Sequence, residues 1–174
     1  MKKVLIIIAI VLTLLIGFLT TGCIKQITPE TTEAKSSSGK TIEEELTIFY
    51  ENYHYIAQAY DTENQKLYWD FEGLDNNNDR IKNLQMRIAN IKDFRYKLTT
   101  LNIPEPLKEF YKIKLQELQV SEDFGKSTIS YLNTGNPTIE ELIDYQDKVN
   151  ELSIKSYNLA LEIYEKYSLS YLIK

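Results

Sequence analysis

Cysteine and histidine are almost absent from this sequence, and their scarcity excludes several kinds of site. Cys23 is the single cysteine and His54 the single histidine, so no disulfide can form within the chain. Glu51 and His54 have the Glu-x-x-His spacing of di-iron bundles, but such a centre takes that motif from each of two helices. A zinc site likewise takes four protein ligands, or three protein ligands and a bound water. We therefore expect no metal, no cofactor and a surface position for His54.

The same scarcity argues against catalysis. A Ser-His-Asp arrangement would have to use His54, and the sequence contains no nucleophile-elbow motif. No glycine-rich loop precedes a helix in the arrangement that cradles a phosphate. Acidic runs such as residues 43–45 are common where a helix begins, because the helix dipole favours negative charge there. We predict no catalytic residues and a protein that is not an enzyme.

Glycine and proline are also scarce, with six and four residues in a chain of 174. Nearly all of them fall outside the segments that have helical periodicity. This distribution indicates long uninterrupted helices rather than many short strands. Without a leader and a linker, about 134 residues remain, which is enough for one hydrophobic core.

Positive charge is in deficit outside the first residues. Lys2 and Lys3 lie in the N-terminal leader, which has no acid, so the chain after Cys23 carries 18 basic and 25 acidic side chains. A chain with this net charge of −7 is not suited to bind a phosphate backbone. Anionic lipid headgroups should also repel it weakly. We expect no nucleic-acid partner, and we expect membrane contact only through the leader.

The first 22 residues have the parts of a secretory signal. Lys2 and Lys3 form a basic start, residues 4–21 contain no charged side chain, and the small residue Gly22 precedes Cys23. A basic start, an apolar run and small residues at the end are typical of an exported protein. The apolar run partitions into the bilayer while the lysines stay on the cytoplasmic side.

The end of this leader, Leu19-Thr20-Thr21-Gly22-Cys23, resembles the lipobox of prokaryotic lipoproteins. Gly22 and Cys23 match the pattern, whereas Thr20 stands where the family prefers leucine. The resemblance implies that Cys23 is the lipid-attachment residue and carries a diacylglyceryl thioether. It also implies that the leader is cut just before Cys23.

An uncleaved transmembrane anchor is the alternative, because about 20 apolar residues are just enough to span a bilayer. Either alternative places the rest of the protein on the extracytoplasmic side of the cell membrane. We expect three regions. They are residues 1–22, a signal peptide or transmembrane anchor; residues 23–40, the lipid-attachment cysteine and a flexible linker rich in Thr, Ser, Glu and Lys; and residues 41–174, a helical-bundle domain.

Apolar residues recur at steps of three and four in the first half of this domain. A first helix begins at the capping box of Thr41 and Glu44 and ends near Gly73. A second helix ends before Pro104, because the residue that precedes a proline avoids helical angles.

Two further helices follow. The third is predicted from Pro106 to Leu132, with an interruption at Gly125. The fourth begins at the capping box of Thr138 and Glu141 and extends toward the C-terminus. Four helices joined by short turns predict an all-α fold, an antiparallel up-down-up-down four-helix bundle. The stretch from residue 101 to residue 167 is also similar to helical domains of other prokaryotic lipoproteins, which implies the same fold.

Tyrosine is the one residue type in excess, with 13 residues. Tyr157, Tyr164, Tyr167 and Tyr171 follow one another along the end of the chain. Tyrosine combines apolar area with a polar tip, so it suits both the edge of a core and a binding surface. These four residues therefore either line the core boundary or form a surface for a partner.

These features predict an interaction or binding module of the cell envelope, which would present a helical surface to another envelope protein. A bundle that binds a small molecule between its helices is the alternative.

Overall fold

The computed structural model describes residues 39–72 and 76–173, except for the side chains of residues 68–72. These residues form four α-helices and two short 3-10 turns. The leader, Cys23 and the linker as far as residue 38 lie outside these residues. No helix among the described residues is long and apolar enough to cross a membrane. The helices are α1, Ile42–Glu72; α2, Asn77–Thr99; α3, Lys108–Thr134; and α4, Ile139–Lys166. The all-α prediction is confirmed.

Both predicted capping boxes are present at the starts of α1 and α4. The Thr41 hydroxyl accepts from the backbone N–H of Glu44 at 3.2 Å, and the Glu44 carboxylate accepts from the Thr41 N–H at 3.0 Å. Thr138 and Glu141 exchange the same two bonds at 3.3 and 2.7 Å. Each pair satisfies two N–H groups that a helix start otherwise leaves without a partner.

The third helix differs from its prediction in two ways. It runs through Gly125 without interruption, and a 3-10 turn over Glu105–Leu107 precedes it. It ends at Gly135, which has a φ of 76° and whose N–H donates to the Tyr131 carbonyl at 2.8 Å. A left-handed glycine at this position is a common helix stop, because glycine has no Cβ to clash.

The fourth helix ends earlier than the sequence suggested. Ser168 adopts a φ of 58° after α4, and the Leu169 N–H donates back to the Tyr164 carbonyl at 2.7 Å. The chain then turns through a 3-10 turn over Ser170–Leu172. Because Leu169 is buried at 7% exposure, the turn places an apolar side chain in the core that a straight helix would carry into solvent.

Contacts between the helices show their relative directions. Near the C-terminal end of α1, the Leu67 carbonyl accepts a 2.9 Å bond from the buried Asn83 amide near the start of α2. Arg95 near the end of α2 contacts Gln119 in the first half of α3. Phe124 in the second half of α3 stacks on Tyr145 near the start of α4, with 6.5 Å between ring centroids. Thus α2 and α4 both run antiparallel to α3.

Two apolar clusters hold the helices together. The first gathers one end of the molecule and includes the start of α1 and the last turns of the chain, namely Leu46, Phe49, Leu107, Phe110, Ile163, Tyr164 and Leu169. The second joins α2 to α3 through Ile91, Phe94, Leu98 and Leu118. Tyr53 packs against both clusters, so α1 covers the junction between them.

Tyr164 ties α4 to the start of α1. Its side chain is 3% exposed, and its hydroxyl donates to the Leu46 carbonyl at 3.2 Å. Its ring meets the Tyr50 ring edge-on at 5.9 Å. Burial raises the pKa of Tyr164 above its ordinary value, so the hydroxyl remains a donor throughout the neutral range.

We expect Tyr164→Phe to lower the free energy of unfolding by about 1 kcal/mol, because the variant keeps the ring and loses one buried hydrogen bond. Urea denaturation measures the change. Tyr171→Phe is the control, since Tyr171 is 57% exposed. Equal stabilities of the two variants would contradict the tie between α4 and α1.

A close approach of α2 and α3 occurs at Gly125. A Cβ added at this position would lie 2.9 Å from Cγ1 and 3.2 Å from Cδ1 of Ile88. The glycine therefore allows the Ile88 side chain to pack against the backbone of α3. Its cost in helix propensity, about 1 kcal/mol relative to alanine, is offset by this packing.

Gly125→Ala should consequently be destabilising in the natural background, where the new methyl group overpacks against Ile88. In an Ile88→Ala background the same change should be stabilising by about 1 kcal/mol, because only the gain in helix propensity remains. A double-mutant cycle in urea measures the difference. The same sign in both backgrounds would show that Ile88 is not the reason for the glycine.

Candidate functional site

A buried ion pair lies where α1, α3 and α4 meet. The Lys114 ammonium donates to both carboxylate oxygens of Glu117 at 2.9 Å, one turn further along α3. The side chains are 17% and 6% exposed. The Ser156 hydroxyl of α4 lies within hydrogen-bond distance of two acceptors, Glu117 Oε2 at 3.2 Å and the Ser153 carbonyl at 2.9 Å, and its single proton is donated to one of them at a time. The pair thus connects α3 to α4.

Two tyrosines of α1 complete this cluster. Tyr53 lies near Lys114, and the two groups interact electrostatically. Burial raises the pKa of Tyr53, and it raises the pKa of Tyr60 to about 12. The Tyr60 ring stacks on Phe94 of α2 at 4.6 Å, so the polar cluster is continuous with the apolar contact between α1 and α2.

The lysine of this cluster is held in its charged form. Burial alone would lower the pKa of Lys114, but Tyr53 and Glu117 outweigh burial and raise it. A protonated ammonium is neither a nucleophile nor a general base at neutral pH. The described contacts of this cluster are with side chains of α1, α3 and α4.

A second buried carboxylate, Glu122, joins α2 to α3. It is 3% exposed, and its oxygens lie 2.6 Å from Lys126, 3.2 Å from Arg95 and 3.6 Å from Lys92. Burial alone would raise its pKa, but these three cations lower it. Because three positive charges face one buried negative charge, this side of the molecule presents cations to solvent.

The four tyrosines predicted as a possible partner surface differ in their exposure. Tyr157 and Tyr171 are exposed, at 37% and 57%, and Tyr167 is half-buried. Tyr164 is buried against α1, as the core-boundary alternative expects. The reason is that the last turns of α4 fold onto the start of α1, so one side of the helix end belongs to the core.

Glu51 and His54 both lie exposed on α1. The His54 ring stacks on the Tyr50 ring at 5.6 Å. The described residues contain no group of three or more side chains placed to hold a metal ion.

One side of α4 carries exposed apolar side chains. Ile143, Ile154 and Tyr157 are 37%, 54% and 37% exposed, and their spacing places them on the same side of a 3.6-residue helix. A row of acidic side chains lies beside them. We call this surface the α4 face, and its residues are Ile143, Ile154, Tyr157, Glu140, Asp147, Glu151 and Glu165.

A surface of opposite charge lies on α2. Met86 and Tyr96 are 47% and 69% exposed, and the exposed Ala89 lies between them on the same side of the helix. Lysines flank these residues. We call this surface the α2 face, and its residues are Met86, Ala89, Tyr96, Lys82, Lys92 and Lys97.

The net charge of the whole domain does not show that positive charge is concentrated on α2 and negative charge on α4. The sequence of α2 has six basic and two acidic residues, whereas that of α4 has three basic and seven acidic residues. A count for each predicted helix, in place of a count for the whole domain, would have found it.

Comparison with known proteins gives no matching family model, no matching curated protein and no matching solved structure. An open depression between α3 and α4, lined in part by Ser127, Pro137 and Tyr145, lies apart from the ion pair.

Removal of one partner of the buried pair should be costly. We expect Glu117→Ala to lower the free energy of unfolding by about 3–5 kcal/mol, because Lys114 is left buried without its counter-charge. The double variant Lys114→Met/Glu117→Leu should lose less free energy of unfolding than this single variant.

Because the pKa of Lys114 is raised by folding, the stabilisation that the pair contributes is present below about pH 10 and is lost as the pH rises further.

The matched control is Glu151→Ala, which removes an exposed pair with the same spacing. Lys148 and Glu151 lie 2.8 Å apart with side chains 45% and 63% exposed, so their contribution should not exceed about 1 kcal/mol. Chemical denaturation at pH 7 compares the two. Similar losses for Glu117→Ala and Glu151→Ala would refute a special role for the buried pair.

Proposed function

We propose that this protein is held at the extracytoplasmic face of the cell membrane by its N-terminal segment and acts there as a protein-interaction module. The observation that carries the second part is the α4 face, where exposed apolar side chains lie beside a row of acids. An enzymatic role has no comparable support, because the buried ionisable groups are engaged in helix-to-helix contacts.

The leader supports the first part of the proposal. A basic start, an uncharged apolar run and Gly22-Cys23 are the features that export and lipid attachment require. The linker that follows Cys23 would extend about 20–25 Å if flexible, so the helical domain could reach partners beyond the headgroups. If the leader is not cut, the same segment anchors the protein as a transmembrane helix, and the domain has the same location.

The α4 face indicates the chemistry of the partner. Apolar side chains such as Ile154 gain free energy when a partner removes them from water. The acids beside them favour a partner with basic flanks, because like charges across an interface are repelled. The partner surface should therefore have an apolar stripe between basic residues.

Binding of a small molecule between the helices is the second candidate, and the structure favours it less. Apolar side chains such as Leu46, Leu98 and Leu107, each fully buried, fill the regions where the helices meet. The depression between α3 and α4 is open to solvent rather than enclosed, whereas ligand pockets usually bury most of the ligand.

Anchoring is tested by fractionation of cells that express the natural chain or Cys23→Ser. We expect the natural chain in the membrane fraction, with a mass that shows cleavage before Cys23 and an added diacylglyceryl group. The Cys23→Ser variant should keep its leader and lack the lipid. A natural chain of full mass in the membrane would favour the transmembrane alternative, and a natural chain in the cytoplasm would overturn the proposal.

The interaction surface is tested with a photo-crosslinking amino acid at Ile154 in intact cells. We expect a crosslinked polypeptide from this position and none from the matched position Gln58, which is exposed on α1. Equal crosslinking from both positions, or none from either, would contradict a specific role of the α4 face.

A further inference from the structure

We infer that the partner of the α4 face is a second copy of this chain, which contacts it through its α2 face. This inference rests on the proposed function, because it names the occupant of the same surface. The proposed partner needs an apolar stripe between basic residues, and the α2 face of this chain has that pattern.

The two faces are complementary in charge. Lys82 lies on the α2 face without an ion-pair partner among the described residues, and Lys92 reaches Glu122 only at 3.6 Å. Lys97 is bonded at 2.7 Å to Asp93, an exposed acid on the same side of α2. On the α4 face, Asp147 and Glu165 have no ion pair with another described residue. Contact between the faces would therefore supply partners for charges that lack one within a single copy.

The two apolar stripes also have compatible lengths. Met86 and Tyr96 are separated by about 15 Å along α2, and Ile143 and Tyr157 by about 21 Å along α4, at 1.5 Å per residue, so the α2 stripe fits within the α4 stripe. Both helices run antiparallel to α3, so they point in the same direction within one copy. Two copies with the same orientation toward the membrane can thus bring α2 and α4 together side by side.

Pairing of two α4 faces is less favourable. In an antiparallel pair, the acidic rows of the two helices would lie on the same side and repel each other. In a parallel pair, neither row would meet a cation. Only the contact between unlike faces, α2 with α4, combines apolar burial with opposite charge.

Contact between unlike faces has a consequence for assembly. Each copy keeps one free α2 face or one free α4 face after it binds a neighbour, so the contact is heterologous and can continue into a row of copies. Anchors in one membrane would confine such a row to two dimensions and raise the effective concentration of the faces.

The test uses the full chain purified in detergent and measures association by sedimentation velocity. Variant A is Lys82→Glu/Lys97→Glu, which makes the α2 face acidic. Variant B is Asp147→Lys/Glu165→Lys, which makes the α4 face basic. All four positions are exposed, so circular dichroism and thermal melting should show that both variants fold as the natural chain does.

We expect the natural chain to associate in a concentration-dependent way, more weakly at about 500 mM than at about 50 mM salt. Variants A and B should each associate at least about tenfold more weakly, since like charges then meet. An equimolar mixture of A and B should associate again, because the α4 face of A meets the α2 face of B unchanged. The control Glu51→Lys/Glu63→Lys, which reverses exposed acids on α1, should associate as the natural chain does.

Three results would overturn the inference. They are a natural chain that stays monomeric, variants A and B that associate as strongly as the natural chain, or a mixture that stays monomeric. A monomeric chain that nevertheless crosslinks through Ile154 to a different protein in cells would overturn the inference and leave the proposed function in place.

Discussion

The rest of the structure depends on one buried ion pair, Lys114 with Glu117. Two charges away from water are unfavourable unless each finds close partners, and here the partners come from three helices. Ser156 of α4 bonds Glu117, and Tyr53 of α1 lies against Lys114. The pair thus brings side chains of α1, α3 and α4 together at one place. Hydrogen bonds from Tyr164 to the Leu46 carbonyl and from Asn83 to the Leu67 carbonyl hold α1 against α4 and α2 on either side of it.

The second organising feature is the separation of charge between helices. The cations of α2 and α3 surround the buried Glu122, while the acids of α4 face solvent in a row beside Ile154. A domain with a net negative charge thus has one basic face and one acidic face. Net charge governs solubility and long-range repulsion, but at physiological salt the charge within about 8 Å governs contact. The proposed contact between copies follows from this local difference.

Much of the fold could be predicted from the sequence, because the signals are local. Thr41 with Glu44 and Thr138 with Glu141 mark helix starts through bonds within four residues, and Gly135 marks a helix end. The positions that the sequence left open depend on residues far apart in the chain. Ile88 of α2 packs against Gly125 within an uninterrupted α3. Tyr164 is buried because the last turns of α4 pack onto the start of α1, where its hydroxyl donates to the Leu46 carbonyl.

The candidate site was less predictable for the same reason. Nothing in the sequence near Lys114 shows that Tyr53, 61 residues earlier, will lie near it. The charged faces are an exception, since the charges of each helix can be counted once the helix bounds are known. The packing of the helices then determines which apolar residues remain exposed. Only the structure shows that Tyr157 is exposed whereas Tyr164 is buried.

The account is tested most directly by nuclear magnetic resonance titration of the lysine Nζ atoms. If Lys114 is held between Glu117 and Tyr53, one lysine resonance should remain protonated at a pH where the exposed lysines have lost their protons, and Lys114→Met should remove that resonance. A titration in which all lysines lose their protons together near pH 10.4 would contradict the central role of the buried pair.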